Sequence, residues 1–299
     1  MTIVAILAAL IAGAWLLAAV ESWVTHGRFS LTRPLIAALA LAGRESIVPR
    51  KSDRLFFEAA PVLLLVAGLL AAAVIPLAPG LIIVDLATGA LFVNAALAYV
   101  LVALIMAGWG PDGAYAMIGG WRFLGQFVGY SMLIVMPITA VAMRAESLST
   151  LRIVASQAAL WNIAYQPLGF VLFVAAALAL SWLPPFDLPA AAGDLAGGVE
   201  TEYTGVRLLI LRLARMIIVL VLAAAVTIFY LGGWLGPWLP GWAWSGLKTV
   251  VVAVGMLTLG RRLPRIREAR FLELCWKLGV PLALVNILFV GVIALVVPT

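Results

Sequence analysis

Apolar stretches about as long as a membrane crossing recur along this chain, separated by short segments rich in glycine, proline and charge. They fall at about 3–23, 57–78, 81–107, 122–143, 161–183, 206–231, 243–260 and 278–297. A helix needs about 20 apolar residues to cross roughly 30 Å of hydrocarbon, and it satisfies its own peptide groups away from water. The pattern therefore predicts an all-α, polytopic membrane helix bundle of about eight transmembrane helices, forming a single integral membrane domain over residues 1–299. The breaks carry turn chemistry: Pro76, Pro79 and Gly80 close a tight turn, Gly108 to Gly113 form a loop, and Gly232 to Trp242 are rich in Gly, Pro and Trp. Between the first two runs, Leu31 to Arg44 places Leu35, Leu39 and Ala42 between Arg33 and Arg44. That stretch is short for a span and predicts one interfacial amphipathic or re-entrant helix. The first run starts at Ile3 with no basic residue before it, unlike a cleaved signal, and predicts a retained helix.

Charge orients the bundle. His26 to Arg54 contains Arg28, Arg33, Arg44, Arg50, Lys51 and Arg54, and Arg261 to Lys277 contains Arg261, Arg262, Arg265, Arg267, Arg270 and Lys277. The opposite side has only Arg144 and Arg152 in its loops. The positive-inside rule makes the rich side cytoplasmic, with loops at about 24–56, 108–121, 184–205 and 261–277 and both termini outward. A chain that is 65% hydrophobic and 11% charged has no room for a large soluble domain, so redox cofactors are expected in partner subunits and none in this chain. The net charge of +6 lies beside apolar spans and reports orientation, which excludes nucleic acid as a partner. Cys275 and His26, one of each, predict no metal site; they read as helix packing and interfacial polarity. Trp234, Trp238, Trp242 and Trp244 read as an outer interfacial belt.

The polar stretch from Pro185 to Gly205 holds Asp187, Asp194, Glu200 and Glu202, which cannot lie bare in hydrocarbon and must face water or a protein partner. Asp187, between Pro185-Phe186 and Leu188-Pro189, either aims a carboxylate at a chamber or caps a turn. Glu200 and Glu202 precede the sixth helix, where the helix dipole alone accounts for negative charge and a docking or proton-path role competes with it. Asp85 and Glu21 are ionisable groups at or near membrane depth, and Glu58 sits where snorkelling to the surface is easy. Arg207, Arg212 and Arg215 recur at roughly helical spacing, and Arg215 lies deep enough to want a carboxylate partner. The run Arg261, Arg262, Arg265, Arg267 and Arg270 serves as a topogenic signal and as a docking face for an acidic soluble subunit.

The order of motifs resembles the membrane subunit of complex I that is designated H in bacteria and 1 in mitochondria, related to a membrane subunit of energy-converting hydrogenases and formate hydrogenlyase. The residues that carry the resemblance are Trp161-Asn162-Ile163-Ala164-Tyr165-Gln166-Pro167-Leu168-Gly169-Phe170, Pro185-Phe186-Asp187-Leu188-Pro189, Gly193, Thr201-Glu202-Tyr203-Thr204-Gly205 and Gly232-Gly233-Trp234. Ala107-Gly108-Trp109, Tyr115, Gly119, Arg122-Phe123, Gln126, Lys248, Leu263-Pro264-Arg265 and Trp276-Lys277 add to it, and Gly43-Arg44-Glu45-Ser46 looks closer to the hydrogenlyase branch. The resemblance implies a subunit that anchors the peripheral redox arm to antiporter-like membrane subunits and helps wall a chamber for quinone, the substrate. Electrons would come from iron-sulfur clusters in partner subunits, and Asp187, Asp194, Glu200, Glu202 and Arg122 become the expected chamber or coupling residues.

The chain departs from that pattern. Ser131, Leu180, Ala190 and Ala192 stand where the family usually carries acids, Leu183 where it carries Arg, Arg215 where it carries Glu, and Ala37 and Ala40 where it carries Asp and Lys. The resemblance nonetheless implies a complex I-type NADH-quinone oxidoreductase subunit in a bacterial inner membrane, and the departures tell against proton coupling by the usual route. A hydrogenase or formate hydrogenlyase-type membrane subunit and a structural connector with a degenerate proton path are its alternatives. A stand-alone transporter is disfavoured because polar residues concentrate in loops and not at paired broken helices near the midplane.

Overall fold

The computed structural model describes residues 2–27 and 29–296; Met1, Arg28, residues 297–299 and the side chains of Thr2 and His26 lie outside what is described. The elements are α1 (Thr2–His26), α2 (Thr32–Ala42), α3 (Arg54–Ala73), α4 (Gly89–Trp109), α5 (Ala114–Ala145), α6 (Thr150–Ala155), α7 (Asn162–Tyr165) and α8 (Pro167–Leu180). They continue with α9 (Ala192–Leu195), α10 (Gly205–Tyr230), α11 (Gly241–Arg262), α12 (Glu268–Leu274) and α13 (Val280–Val296), the last two joined through a π turn at Cys275–Gly279. No β-strand forms among the described residues. The protein is an all-α polytopic membrane bundle in which, among the described residues, 7 helices are long and apolar enough to cross a bilayer.

The crossing expected at 161–183 differs from the rest. It is split into α7 and α8 at Gln166, whose φ of −139° leaves the helix, and Pro167 cannot donate the hydrogen bond that would continue it. At 14 residues, α8 alone reaches only about 21 Å, short of a roughly 30 Å core. The segment still runs from end to end, because Trp161 lies beside Gly232 and Lys248 at one end while Pro184 packs on Gly260 at the other. The break is buried and polar, as broken helices in membranes require. Asn286 of α13 donates to Gln166 Oε1 at 3.1 Å and accepts from Gly169 N at 3.2 Å.

Other boundaries move because tertiary packing extends helices into charged sequence. α5 starts at Ala114 and the last crossing at Glu268, so the loops expected at 108–121 and 261–277 shrink to 110–113 and 263–267. Residues 81–88, expected in the third span, form a turn fixed by Val84 N donating to Ala73 O at 3.0 Å. Asp85 is therefore an exposed residue between α3 and α4 and not part of a membrane-spanning helix. The expected helix between the first two spans is α2, with no buried residue.

The core is centred on α10, 72% of whose most apolar window is buried, against 22–56% for the other long helices. It packs against α1, α3 and α11, while α3, α4 and α5 form two successive hairpins. Backbones approach closely where side chains are absent: a Cβ on Gly108 of α4 would sit 3.1 Å from the Cα of Gly120 in α5. The loops sort by end. Segments 27–53, 110–113, 181–204 and 263–267 touch one another at the end rich in arginine, through Asp53 N to Gly110 O (2.8 Å), Ile47 N to Thr204 Oγ1 (2.9 Å) and Ile266 N to Pro185 O (3.3 Å).

The opposite end is pinned by polar side chains. Lys248 is buried and donates to the carbonyls of Leu231 (2.7 Å), Gly233 (3.1 Å) and Leu235 (2.8 Å), with Trp161 and Trp244 rings 4.3 and 5.4 Å away. Its three N–H donors are thus all used. Gln157 ties the chain after α6 to α10 by donating to Ile228 O at 2.7 Å and accepting from Gly232 N at 3.0 Å. Replacing Lys248 by Met is expected to lower bundle stability by about 3 kcal/mol or more, since it strips charge-assisted donors from three carbonyls at once. Thermal unfolding of the purified protein in detergent measures this; an unchanged midpoint would show that water replaces the ammonium.

Candidate functional site

The acidic loop is mounted on the bundle before any of its charges are counted. It opens with a cis Pro184–Pro185 bond and passes through a 3-10 turn at Leu188–Ala190, the short α9 and a second 3-10 turn at Gly198–Glu200. Gly198 has φ +54° and a Cβ there would run into Pro189 O, so only glycine lets the loop fold back on itself. Buried Gln126 of α5 grips the start of the loop, donating to Ala179 O at 2.6 Å and to Phe186 O at 2.9 Å.

The loop's far end is held by Tyr203. Phe57 lies four residues before Pro61 inside α3, so its carbonyl has no intrahelical N–H to accept from. The Tyr203 hydroxyl donates to that oxygen at 3.2 Å, and its ring stacks on Phe57 with centroids 4.5 Å apart. Burial raises the Tyr203 pKa above that of a free phenol, with the nearby Arg207 charge opposing the shift. The hydroxyl therefore remains a donor across the physiological range.

Three of the predicted acids are ion-paired, each to a different element. Asp187 Oδ2 meets Arg265 Nη2 at 2.8 Å, Asp194 meets Arg122 of α5 at 3.3 Å, and Glu200 meets Arg212 of α10 at 3.4 Å. Glu202 packs beside Gly113 without an ion pair among the described residues. Asp187 does not cap the following turn; its carboxylate goes to Arg265. The pairs are unequal: the Asp194 side chain is 71% exposed and Asp187 only 12%. An exposed pair contributes roughly 0–1 kcal/mol, whereas removing the partner of a desolvated carboxylate is costly.

Asp187 borders a recess of about 170 Å³, which Glu21 of α1, Leu183, Pro184, Ala190, Arg215 of α10, and Leu257 and Arg261 of α11 complete. Two carboxylates and two guanidinium groups thus converge where α1, α10 and α11 meet the loop. Of the predicted site residues only Asp187 and Arg261 line it; Asp194, Glu200, Glu202 and Arg122 lie outside. The expectation that Arg215 pairs with a carboxylate is corrected. It donates to Trp182 O at 3.0 Å with its guanidinium 5.7 Å from the Trp182 ring, and no carboxylate lies within ion-pair reach among the described residues. Glu58, expected at the interface, pairs with Arg207 at 3.1 Å. Sequence reasoning did not place Glu21 and Arg215 in the site, although both are ionisable groups near membrane depth, which is the signal that marks them. In the basic run, Arg261 donates to Thr25 Oγ1 and Arg265 is taken by Asp187, while the exposed Arg262 and Arg267 make no ion pair among the described residues. Exposed Arg270 lies near Glu273.

Comparison with known proteins places this arrangement. Residues 4–291 match the family described as NADH dehydrogenase. The H subunit (form 1) of the NADH-quinone oxidoreductase of Geobacter metallireducens is 36% identical over 274 residues, covering 89% of this chain and 83% of that protein. The H subunit of the Geobacillus kaustophilus enzyme is 35% identical over 272 residues (89% and 81%), and form 2 of the H subunit from Cereibacter sphaeroides 37% over 269 (90% and 85%). The chain belongs to the NADH dehydrogenase family. The resemblance drawn from the Trp161–Phe170, Pro185–Pro189 and Thr201–Gly205 motifs is thereby borne out.

Within this NADH dehydrogenase fold, three of the neutral residues noted as departures from the resemblance's acidic pattern can be placed. Leu180 is buried in the core at 2% exposure, Ala190 lines the recess and Ala192 begins α9. Among the described residues Asp187 is the only buried carboxylate. Because the loop that carries it depends on Tyr203, Tyr203→Phe is expected to destabilise the fold by about 1–3 kcal/mol by leaving the Phe57 carbonyl without a donor. Pro61→Ala restores an N–H to that carbonyl, so the double variant should regain part of the loss. Unfolding midpoints of the two single variants and the pair decide it, and strictly additive losses would contradict the account.

Proposed function

We propose that this chain is the membrane subunit of a complex I-type NADH-quinone oxidoreductase, anchoring the peripheral redox arm and supplying one wall of its quinone chamber. The observation that carries the proposal is the recess where Glu21, Asp187, Arg215 and Arg261 converge on the α1/α10/α11 seam. A quinone headgroup has two carbonyl acceptors and becomes quinol by taking up two electrons and two protons. Guanidinium donors suit its oxygens and the build-up of charge on reduction, and carboxylates suit proton delivery. At about 170 Å³ the recess is smaller than the roughly 300–1,000 Å³ of ordinary small-molecule sites, so a partner subunit must close it. This chain holds no cofactor in the proposal; electrons arrive from iron-sulfur clusters in that partner.

The same end carries the docking surface. Arg262, Arg267 and Arg270 are exposed, which suits an acidic peripheral subunit. The exposed apolar faces of α1, α5 and α13 meet lipid and the antiporter-like membrane subunits. The positive-inside rule turns the arginine-rich end to the cytoplasm of a bacterial inner membrane and both termini outward. The three relatives described above are named for NADH-quinone oxidoreductase and none for a hydrogenase, which supports the quinone reading over the hydrogenase one. The neutral Ser131, Leu180, Ala190 and Ala192 favour one second reading, a structural connector whose proton path is degenerate.

Two experiments on the assembled membrane complex separate these readings. Asp187→Asn is expected to reduce quinone reductase activity at least about tenfold with the subunits still copurifying; unchanged activity would leave the connector. Arg262→Ala with Arg267→Ala is expected to make the peripheral subunits dissociate at lower salt while membrane insertion is unaffected. Retention of those subunits at the salt concentration the unaltered complex tolerates would remove the docking role.

A further inference from the structure

The acidic loop is joined residue by residue to the arginine-rich link between α11 and α12 and to the helix ends on either side of it. Pro184 O faces Gly260, where any Cβ would collide with it; Pro185 O accepts from Ile266 N at 3.3 Å; Phe186 packs on Phe271 with centroids 5.0 Å apart; and Asp187 meets Arg265 at 2.8 Å. Four consecutive loop residues therefore contact the link or the helix ends that flank it. The last contact differs from the others in its exposure. The Asp187 side chain is 12% exposed on the recess side, and that of Arg265 is 57% exposed on the surface that carries Arg262 and Arg267. Arg265 thus spans from the recess to the docking surface.

A guanidinium has five N–H donors in a planar fork, and the ion pair with Asp187 is made at Nη2, at 2.8 Å. Among the described residues no hydrogen bond engages its other nitrogens, so the 57% exposed side chain can receive a second carboxylate without releasing the first. We propose that Arg265 is the positioning residue for Asp187 and is shared with the docked peripheral subunit, a carboxylate of which binds its outer donors. Docking then fixes the Asp187 carboxylate at the mouth of the recess, beside Glu21, Arg215 and Arg261. This rests on the reading of the recess as a quinone site and adds a physical link between arm attachment and the placement of its buried acid.

The test is a double-mutant cycle in the assembled membrane complex, using a short-chain water-soluble quinone and reading kcat and KM separately. Arg265→Gln is expected to lower kcat about tenfold or more with KM changed less than about twofold, because a misplaced acid slows the step and leaves binding intact. Asp187→Asn alone and Asp187→Asn with Arg265→Gln should agree within about twofold, since Arg265 acts through Asp187. Arg265→Lys, which keeps the charge but loses the fork, should recover part of the kcat. Multiplicative losses in the cycle, or wild-type kinetics for Arg265→Gln, overturn the role of Arg265. If Arg265→Gln does not assemble, the cycle is run with Arg265→Lys, where multiplicative losses again overturn it and losses that vanish in the Asp187→Asn background support it. Unchanged kinetics for Asp187→Asn sink the recess reading itself, an outcome distinct from loss of the Arg265 role alone.

Discussion

A carboxylate at the edge of hydrocarbon must be paired, hydrogen-bonded or protonated, because leaving it desolvated and alone costs several kcal/mol. That constraint organises the end of the bundle where the loops meet. Asp187, Asp194 and Glu200 each reach a guanidinium on a different element, so the loop is fastened to α5, α10 and the link before α12. The fastening is what turns a glycine- and alanine-rich segment into a defined surface. The pairs act together with the Gln126 and Tyr203 hydrogen bonds on a loop whose own regular structure is two 3-10 turns and the four-residue α9.

The three pairs are not equivalent, and burial decides which matters. Asp194, 71% exposed, is solvated whether or not Arg122 is present, so its pair orients more than it stabilises. Asp187, 12% exposed, has given up most of its water and depends on Arg265 for compensation. The same argument applies to Arg215, which satisfies one nitrogen on the Trp182 carbonyl while Nε has no partner, next to the only polar recess among those described at this end. A partly satisfied cation beside a well-paired carboxylate is a site that can receive an oxygen acceptor.

The spans and their order were legible because a 20-residue apolar run has few alternatives to a transmembrane helix, and basic residues mark loop ends plainly. What hydropathy could not resolve is what it does not measure. It averaged over Gln166-Pro167 and returned a continuous span where the backbone breaks, and it drew residues 81–88 into a helix because Leu81, Ile82 and Ile83 are apolar in a turn. It stopped the last span short of Glu268 because charge lowers an average without preventing helix formation. The site was half legible for a related reason. Motifs located Asp187, but the partners that give it meaning, Arg265 and the recess residues Glu21 and Arg215, lie 78, 166 and 28 positions away in sequence and are joined only by tertiary packing. The Pro61–Phe57–Tyr203 relation is of the same kind: the freed carbonyl can be read from proline chemistry, its donor cannot.

The distribution of buried polar groups also limits where this chain can handle a proton. Among the described buried residues the polar members are amides, hydroxyls, Lys248 and Asp187. Amides and hydroxyls hold waters and relay hydrogen bonds, but they do not store a proton at physiological pH. Lys248 is engaged by three carbonyls at the end opposite the recess, and Leu180 and Ser131 are neutral. Among the described residues Asp187 is therefore the one buried carboxylate, with the Glu200 side chain, 15% exposed, the next most enclosed of the paired loop acids. On the proposed reading of the recess as a quinone site, Asp187 is the group placed to take up a proton and exchange it with the loop surface nearby.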